Sequence, residues 1–150
     1  MTHLFIRTGI SFADRTAVLT HIGDEMLKMD VVHETYPAAL IEREMRYPTG
    51  IMLDKHAIAI PHCEAIHAKS PAIYLLRPDK AVSFQQADDE SEIAVSLIIA
   101  LIVENPVEQL MLLRCLFGKL QQTEVIEALI NLPESELQTY FREEILNANK

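Results

Sequence analysis

Two cysteines, Cys63 and Cys115, are too few for a framework of disulfide bridges. Reduced thiols in a cytoplasm are the default for such a chain. Long apolar runs are missing as well. The longest, Ile93 to Val103, has 11 residues, against roughly 20 for a membrane helix. It reads as a buried strand, and direct membrane insertion is not expected. The start of the chain lacks a basic segment followed by an apolar one, because His3 and Arg7 interrupt the first ten residues, so secretion is not expected either. Basic residues are scarce: 13 Lys and Arg stand against 22 Asp and Glu, giving a net charge of −9. That is the wrong sign for neutralising nucleic-acid phosphates or adhering to anionic lipid. An acidic surface suits a basic protein partner, or simply solubility. No G-x-S-x-G is present, which removes the common serine hydrolase signature.

What is present fits one domain. A chain of 150 residues with 49% apolar content can bury a single core. Leu4 to Ile6 is a short apolar stretch suited to an edge strand, and Ser11 can cap a first helix over about residues 12–28. A second helix is expected from Tyr36 to Arg46, ended by Pro48 and Gly50. His56 to Ile60 alternates and stops at Pro61, which predicts a strand with functional residues at its end. Ala72 to Leu76 and Ile93 to Val103 are two further strands. The second is apolar on both faces, as at the centre of a sheet covered by helices on both sides. Asn105 and Pro106 open a third long helix to about Leu120. Shorter helices follow at Thr123–Leu132 and Glu134–Leu146, with Pro133 between them. The fold class is α/β.

Three of the six histidines, His56, His62 and His67, fall within twelve positions. Pro61 ends the strand and projects His62 beyond it, where α/β sheets usually bind and react. An imidazole there can act as base, ligand or nucleophile, or can simply be a hydrogen-bonded strand-end residue. His62-Cys63-Glu64 matches the H-x-E half of a zinc deaminase signature, but the P-C-x-x-C half is absent. Ligands would have to come from His56, His62, His67 and Cys63, and neighbours on an extended chain point in opposite directions. The same geometry weakens a Cys-His nucleophile pair.

Glu42-Arg43-Glu44, Thr49-Gly50-Ile51 and Ala57-Ile58-Ala59-Ile60-Pro61-His62 resemble, in order and spacing, the signature of the enzyme IIA domains of the mannitol and fructose class of phosphotransferase systems. The resemblance spans nearly the whole chain. The Ile60–Lys69 stretch and Leu116-Phe117-Gly118-Lys119-Leu120-Gln121-Gln122 look like the galactitol branch. This resemblance implies a single type 2 IIA domain over residues 1–150, with a mixed β-sheet flanked by helices on both sides. It implies a phosphohistidine at His62 and no cofactor or metal. The donor would be the histidine phosphocarrier protein and the acceptor a cysteine of the IIB component, with the IIC membrane component engaged only indirectly. Arg43 matches the arginine of the family's R-E motif and would neutralise the phosphoryl group in the forked geometry of a guanidinium; its alternative is an ion pair with Glu42 or Glu44. Many family members carry a second histidine where this chain has Gln109. The orienting group for His62 is therefore open between Gln109 and His67. A regulatory relative that binds partners by phosphorylation state, and a small metalloenzyme, are the rival functions.

Overall fold

The structure, a computed structural model, describes residues 2–89 and 91–146. The elements run β1 (His3–Thr8), α1 (Arg15–Lys28), α2 (Tyr36–Arg46), β2 (Gly50–Met52), β3 (Ala57–Ala59), β4 (Ala72–Arg77), β5 (Val82–Gln85), β6 (Glu92–Ile102), α3 (Pro106–Leu120), α4 (Thr123–Asn131) and α5 (Glu134–Phe141). One 3-10 turn, Ala65–His67, separates β3 from β4, and a π turn, Arg142–Leu146, follows α5. The sheet order is β1-β4-β6-β3-β2, with β5 paired to β6. The β1–β4 and β3–β6 pairs are parallel; β2–β3, β4–β6 and β5–β6 are antiparallel. The sheet is therefore mixed, as expected.

Both faces of the sheet are covered. Tyr74, Leu76 and Ala59 pack with Val18, Ile22 and Leu40 of α1 and α2. Ile58, Ile73 and Leu75 pack on the other side with Leu116, Leu129 and Phe141 of α3, α4 and α5. Along β6 the alternation breaks once: Ile93 and Val95 share a face with Ile98 and Ala100, while Leu97 and Ile99 lie opposite. The β3 register slips at the same place, where Ala57 pairs Val95 but Ile58 pairs Leu97. One extra residue around Ser96 explains both, since a bulge reverses side-chain parity and bends the strand.

Two helix starts illustrate how the sequence chose its ends. Asn105 accepts a 2.8 Å hydrogen bond from the Glu108 amide, so α3 begins where expected. In α1 the cap is Asp14, which accepts from the Ala17 amide at 2.9 Å, and the helix begins at Arg15. Ser11 instead donates to Asp79, which corrects the expectation of a start near Phe12. Strands β2 and β5 were not expected. Among the described residues no helix is long and apolar enough to cross a membrane.

The segment that positions the site is β3 and its continuation. Ile58 and Ile60 are 0% and 1% exposed, and burying each contributes roughly 1.5–3 kcal/mol, more than the roughly 0.5–1.5 kcal/mol of one ladder hydrogen bond. Side-chain packing therefore adds to the pairing with β2 and β6 in holding this short strand. Beyond the strand, Leu101 of β6 donates its amide to the Pro61 carbonyl at 3.1 Å. Gly50 opposite is required by close approach: a Cβ there would lie 2.5 Å from the Gln85 carbonyl oxygen.

Candidate functional site

His62 stands just past β3, half-buried. Its Nδ1 lies 2.7 Å from the Ile60 carbonyl oxygen. A carbonyl oxygen can only accept, so Nδ1 carries the hydrogen and the neutral ring keeps its lone pair on Nε2. Burial lowers the imidazole below its ordinary pKa of 6.5; the bond to Ile60 opposes this and the charge of Arg43 adds to it. At neutral pH the ring is uncharged and its Nε2 is nucleophilic.

Arg43, on α2, lies close enough to influence His62, Cys63 and Glu44 electrostatically. Its guanidinium carbon sits 4.6 Å from the centroid of the Tyr47 ring, a cation–π stack that limits where the fork can swing. Neither expected ion pair forms. Glu42 pairs with Arg46 at 3.2 Å, and Glu44 takes two hydrogen bonds from Thr49. Among the described residues Arg43 has no carboxylate within ion-pair distance. A cleft of about 410 Å³ beside it is lined by Thr35, Arg46, Tyr47, Glu64 and His67.

The two candidates for orienting His62 are both engaged elsewhere. The Gln109 amide donates to the Cys63 carbonyl at 3.3 Å, so α3 fastens the main chain next to His62. His67 has Nδ1 at 2.7 Å from the Thr35 hydroxyl and Nε2 at 3.6 Å from Glu64. The contact that fixes the His62 ring is the Ile60 carbonyl, two residues back. No residue type announces such a contact, because every residue carries a carbonyl.

Of the remaining histidines, His3 and His33 are exposed, while His21 meets the Tyr74 hydroxyl at 2.7 Å and His56 meets Glu127 at 2.8 Å. The Cys63 thiol is buried, and burial together with Glu64 pushes its pKa up to about 12, so it stays protonated at neutral pH. Among the described residues no three His, Cys, Asp or Glu side chains gather as a ligand set.

Several apolar side chains are exposed on the turn after His62 and on α3: Ile66 is 79% exposed and Val107 68%, and Leu110 and Met111, which follow Gln109, have half their surfaces free. On α2 and its end, Met45 and Tyr47 are likewise exposed.

Known proteins agree with this architecture. The chain is 67% identical, over all 150 residues and the full length of the relative, to a PTS system galactitol-specific EIIA component of Escherichia coli K12. Its fold is similar to that in the complex of enzyme IIAMTL and phosphorylated enzyme IIBMTL from Escherichia coli, with a TM-score of 0.75, 20% identity and coverage of 94% of each chain. It is also similar to the nitrogen regulatory protein IIA-Ntr from Neisseria meningitidis, with a TM-score of 0.72, 26% identity and coverage of 92% of this chain and 90% of that one. The model of the EIIA 2 family matches residues 1–144. By that match and the full-length identity, the chain belongs to the EIIA 2 family of the phosphoenolpyruvate-dependent sugar phosphotransferase system.

Proposed function

We propose that this chain is a cytoplasmic phosphocarrier, a single IIA domain over residues 1–150, that accepts a phosphoryl group on Nε2 of His62 and passes it on. The observation that carries the reading is the 2.7 Å contact between His62 Nδ1 and the Ile60 carbonyl, in the electrostatic reach of Arg43, which among the described residues has no carboxylate partner. That contact presents Nε2 as the nucleophile. The Nε2 lone pair attacks phosphorus while the bond from phosphorus to the donor's nitrogen breaks, its electron pair returning to the donor imidazole. His62 keeps its Nδ1 hydrogen throughout, so the ring has no need to turn between its free and phosphorylated states. In the second half-reaction a thiolate takes the group and the His62 lone pair is restored.

The donor in this reading is the histidine phosphocarrier protein and the acceptor a cysteine of the IIB component. The sugar alcohol taken up is galactitol, by analogy with the 67% identical relative; the sugar itself never touches this chain. The open apolar side chains on the turn after His62 and on α3, whose Gln109 holds the Cys63 carbonyl, suit transfer between proteins, since a protein partner must cover the site for the reacting atoms to meet. A regulatory role has one observation behind it, the 26% identity to a nitrogen regulatory protein. The full-length 67% identity favours the transport role.

Incubation with phosphoenolpyruvate, enzyme I and the histidine phosphocarrier protein tests the reading. Intact-mass measurement should show one added phosphoryl group, labile in acid and stable in alkali. No mass gain would reject it.

Arg43 is the group that meets the phosphoryl charge. Arg43→Ala should slow transfer by roughly tenfold, the value of about 1.5 kcal/mol for one hydrogen bond to a charged group at a partly open position. Arg43→Lys should recover part of the rate, because it restores charge without the fork. Single-turnover transfer from the phosphorylated donor checks both, and equal rates for wild type and Arg43→Ala would remove Arg43 from the site.

A further inference from the structure

Glu44 is the one buried charged residue among the described residues, 4% exposed on the inner face of α2. Its two carboxylate oxygens accept from the Thr49 amide and the Thr49 hydroxyl, each at 2.8 Å. Because that hydroxyl spends its hydrogen on Glu44, its oxygen faces outward as an acceptor, and it takes the Ile60 amide at 3.1 Å. Ile60 is the residue whose carbonyl holds His62 Nδ1. The four groups therefore form one directed chain, from carboxylate to hydroxyl to main chain to imidazole. Neighbouring contacts keep that chain from slackening: the Ile60 side chain is buried and the Pro61 carbonyl is tied to β6.

We propose that Glu44 is a positioning residue for phosphoryl transfer, which through Thr49 fixes the Ile60 main chain and so holds the His62 ring with Nδ1 protonated and Nε2 free. The inference rests on His62 being the phosphoryl acceptor. Reversing the polarity of any link breaks the chain. If Thr49 had no partner for its hydroxyl hydrogen, that hydrogen would be free to turn toward the Ile60 amide, and two donors would face each other. A carboxylate prevents this because it accepts only. The buried cost of Glu44 is then understandable, since a hydrophobic residue at this position of α2 would pack without that cost but would leave the Thr49 hydroxyl undirected.

The test uses three variants of the full chain. Thr49→Val keeps the shape and removes the hydroxyl; Glu44→Gln keeps the size and opposes an amide donor to one of the Thr49 donors; Thr49→Ser keeps the hydroxyl. Transfer from the phosphorylated histidine phosphocarrier protein should slow by about tenfold in Thr49→Val and by roughly two- to twelvefold in Glu44→Gln, the range for one neutral hydrogen bond. The loss should fall on kcat, with KM for the donor unchanged. Thr49→Ser should recover most of the rate. The decisive readout is the His62 imidazole by nitrogen NMR, which is independent of activity. At pH 8, with Glu44 ionised, wild type should show a single tautomer with Nδ1 protonated, and Thr49→Val a mixture.

A wild type that takes no phosphoryl group would reject the phosphocarrier reading alone, and the imidazole signals would still test the positioning. A wild type that transfers, with unchanged His62 signals in both Thr49→Val and Glu44→Gln, would overturn the inference whatever their rates. If Thr49→Val melts too early for study, the Glu44→Gln and Thr49→Ser pair decides it by the same signals.

Discussion

His62→Ala should gain no mass on incubation with the phosphoryl donor cascade, and His62→Gln, closer in size, should gain none either. This is the largest effect expected of any single change, because it removes the reacting atom. No neighbour is placed to take over. Cys63 carries a thiol whose pKa stands at about 12, so its reactive thiolate is almost absent at neutral pH. His67 has each nitrogen against a side chain of its own, and His21 and His56 are held by Tyr74 and Glu127 on other parts of the surface. Residual labelling of either variant would show that another side chain is the acceptor. Wild type should also have a characteristic pH profile. Burial lowers the His62 pKa below 6.5, so the nucleophilic neutral ring persists on the acid side of that value. The part of the rate that follows His62 should therefore fall at lower pH than for an exposed histidine, which loses half its nucleophile at pH 6.5, while protonation of Glu44 through about 7 adds the roughly two- to twelvefold loss expected of Glu44→Gln.

The elements legible in the sequence are those whose signal is local. Asn105 with Pro106 marks the start of α3 because a cap and its first turn lie within four residues. The length and unbroken apolarity of β6 mark a strand covered on both faces. Asp14 and Ser11 are both competent caps, and the choice between them was made by Asp79, which takes the Ser11 hydroxyl from 68 positions away. Strand β5 does alternate, with Val82 and Phe84 buried and Ser83 exposed, but four residues of alternation are weak evidence beside so many apolar runs. Strand β2 has only three residues, and what defines it is pairing with β3.

At the site the division is the same. His62 and its place past a strand end were readable from Pro61. The motif that carries Arg43, Glu44, Thr49 and Gly50 was readable as a pattern, yet its parts do different things than their spacing suggests. Glu44 and Arg43 are adjacent in sequence but point to different partners: the arginine to the Tyr47 ring and the carboxylate inward to Thr49. The β2–β3 hairpin pairs Gly50 with Ala59, and this brings Thr49 to the Ile60 amide. A contact made across a hairpin register cannot be seen before the register is known.

Glu44 also predicts how stability depends on pH, and the sign is opposite to that of an ordinary paired carboxylate. Burial raises its pKa from 4.5 to about 7, against the two Thr49 bonds and the charges of Arg15 on α1 and Arg43 on α2, which lower it. The folded protein therefore holds a proton on Glu44 between pH 4.5 and 7 that the unfolded chain has released. Under linkage, stability falls as pH rises wherever the folded state binds more protons. The contribution is fully present below 4.5 and is lost as pH rises through 7. The interval from 4.5 to about 7 corresponds to about 3 kcal/mol at roughly 1.4 kcal/mol per pH unit. Glu44→Gln cannot titrate, and every other acidic residue is common to both proteins, so the difference between them isolates Glu44. Urea unfolding at intervals from pH 4.5 to 8 should show wild type losing about 3 kcal/mol relative to Glu44→Gln. A flat difference would mean that Glu44 keeps an ordinary carboxylate pKa in the fold. The expected slope implies a division of labour within one side chain. Ionised Glu44 is the form that accepts both Thr49 donors and directs the chain to His62, and it is the form the fold holds at greatest cost. At pH 7 the two forms lie close in free energy, so the arrangement that positions His62 is maintained at the expense of stability.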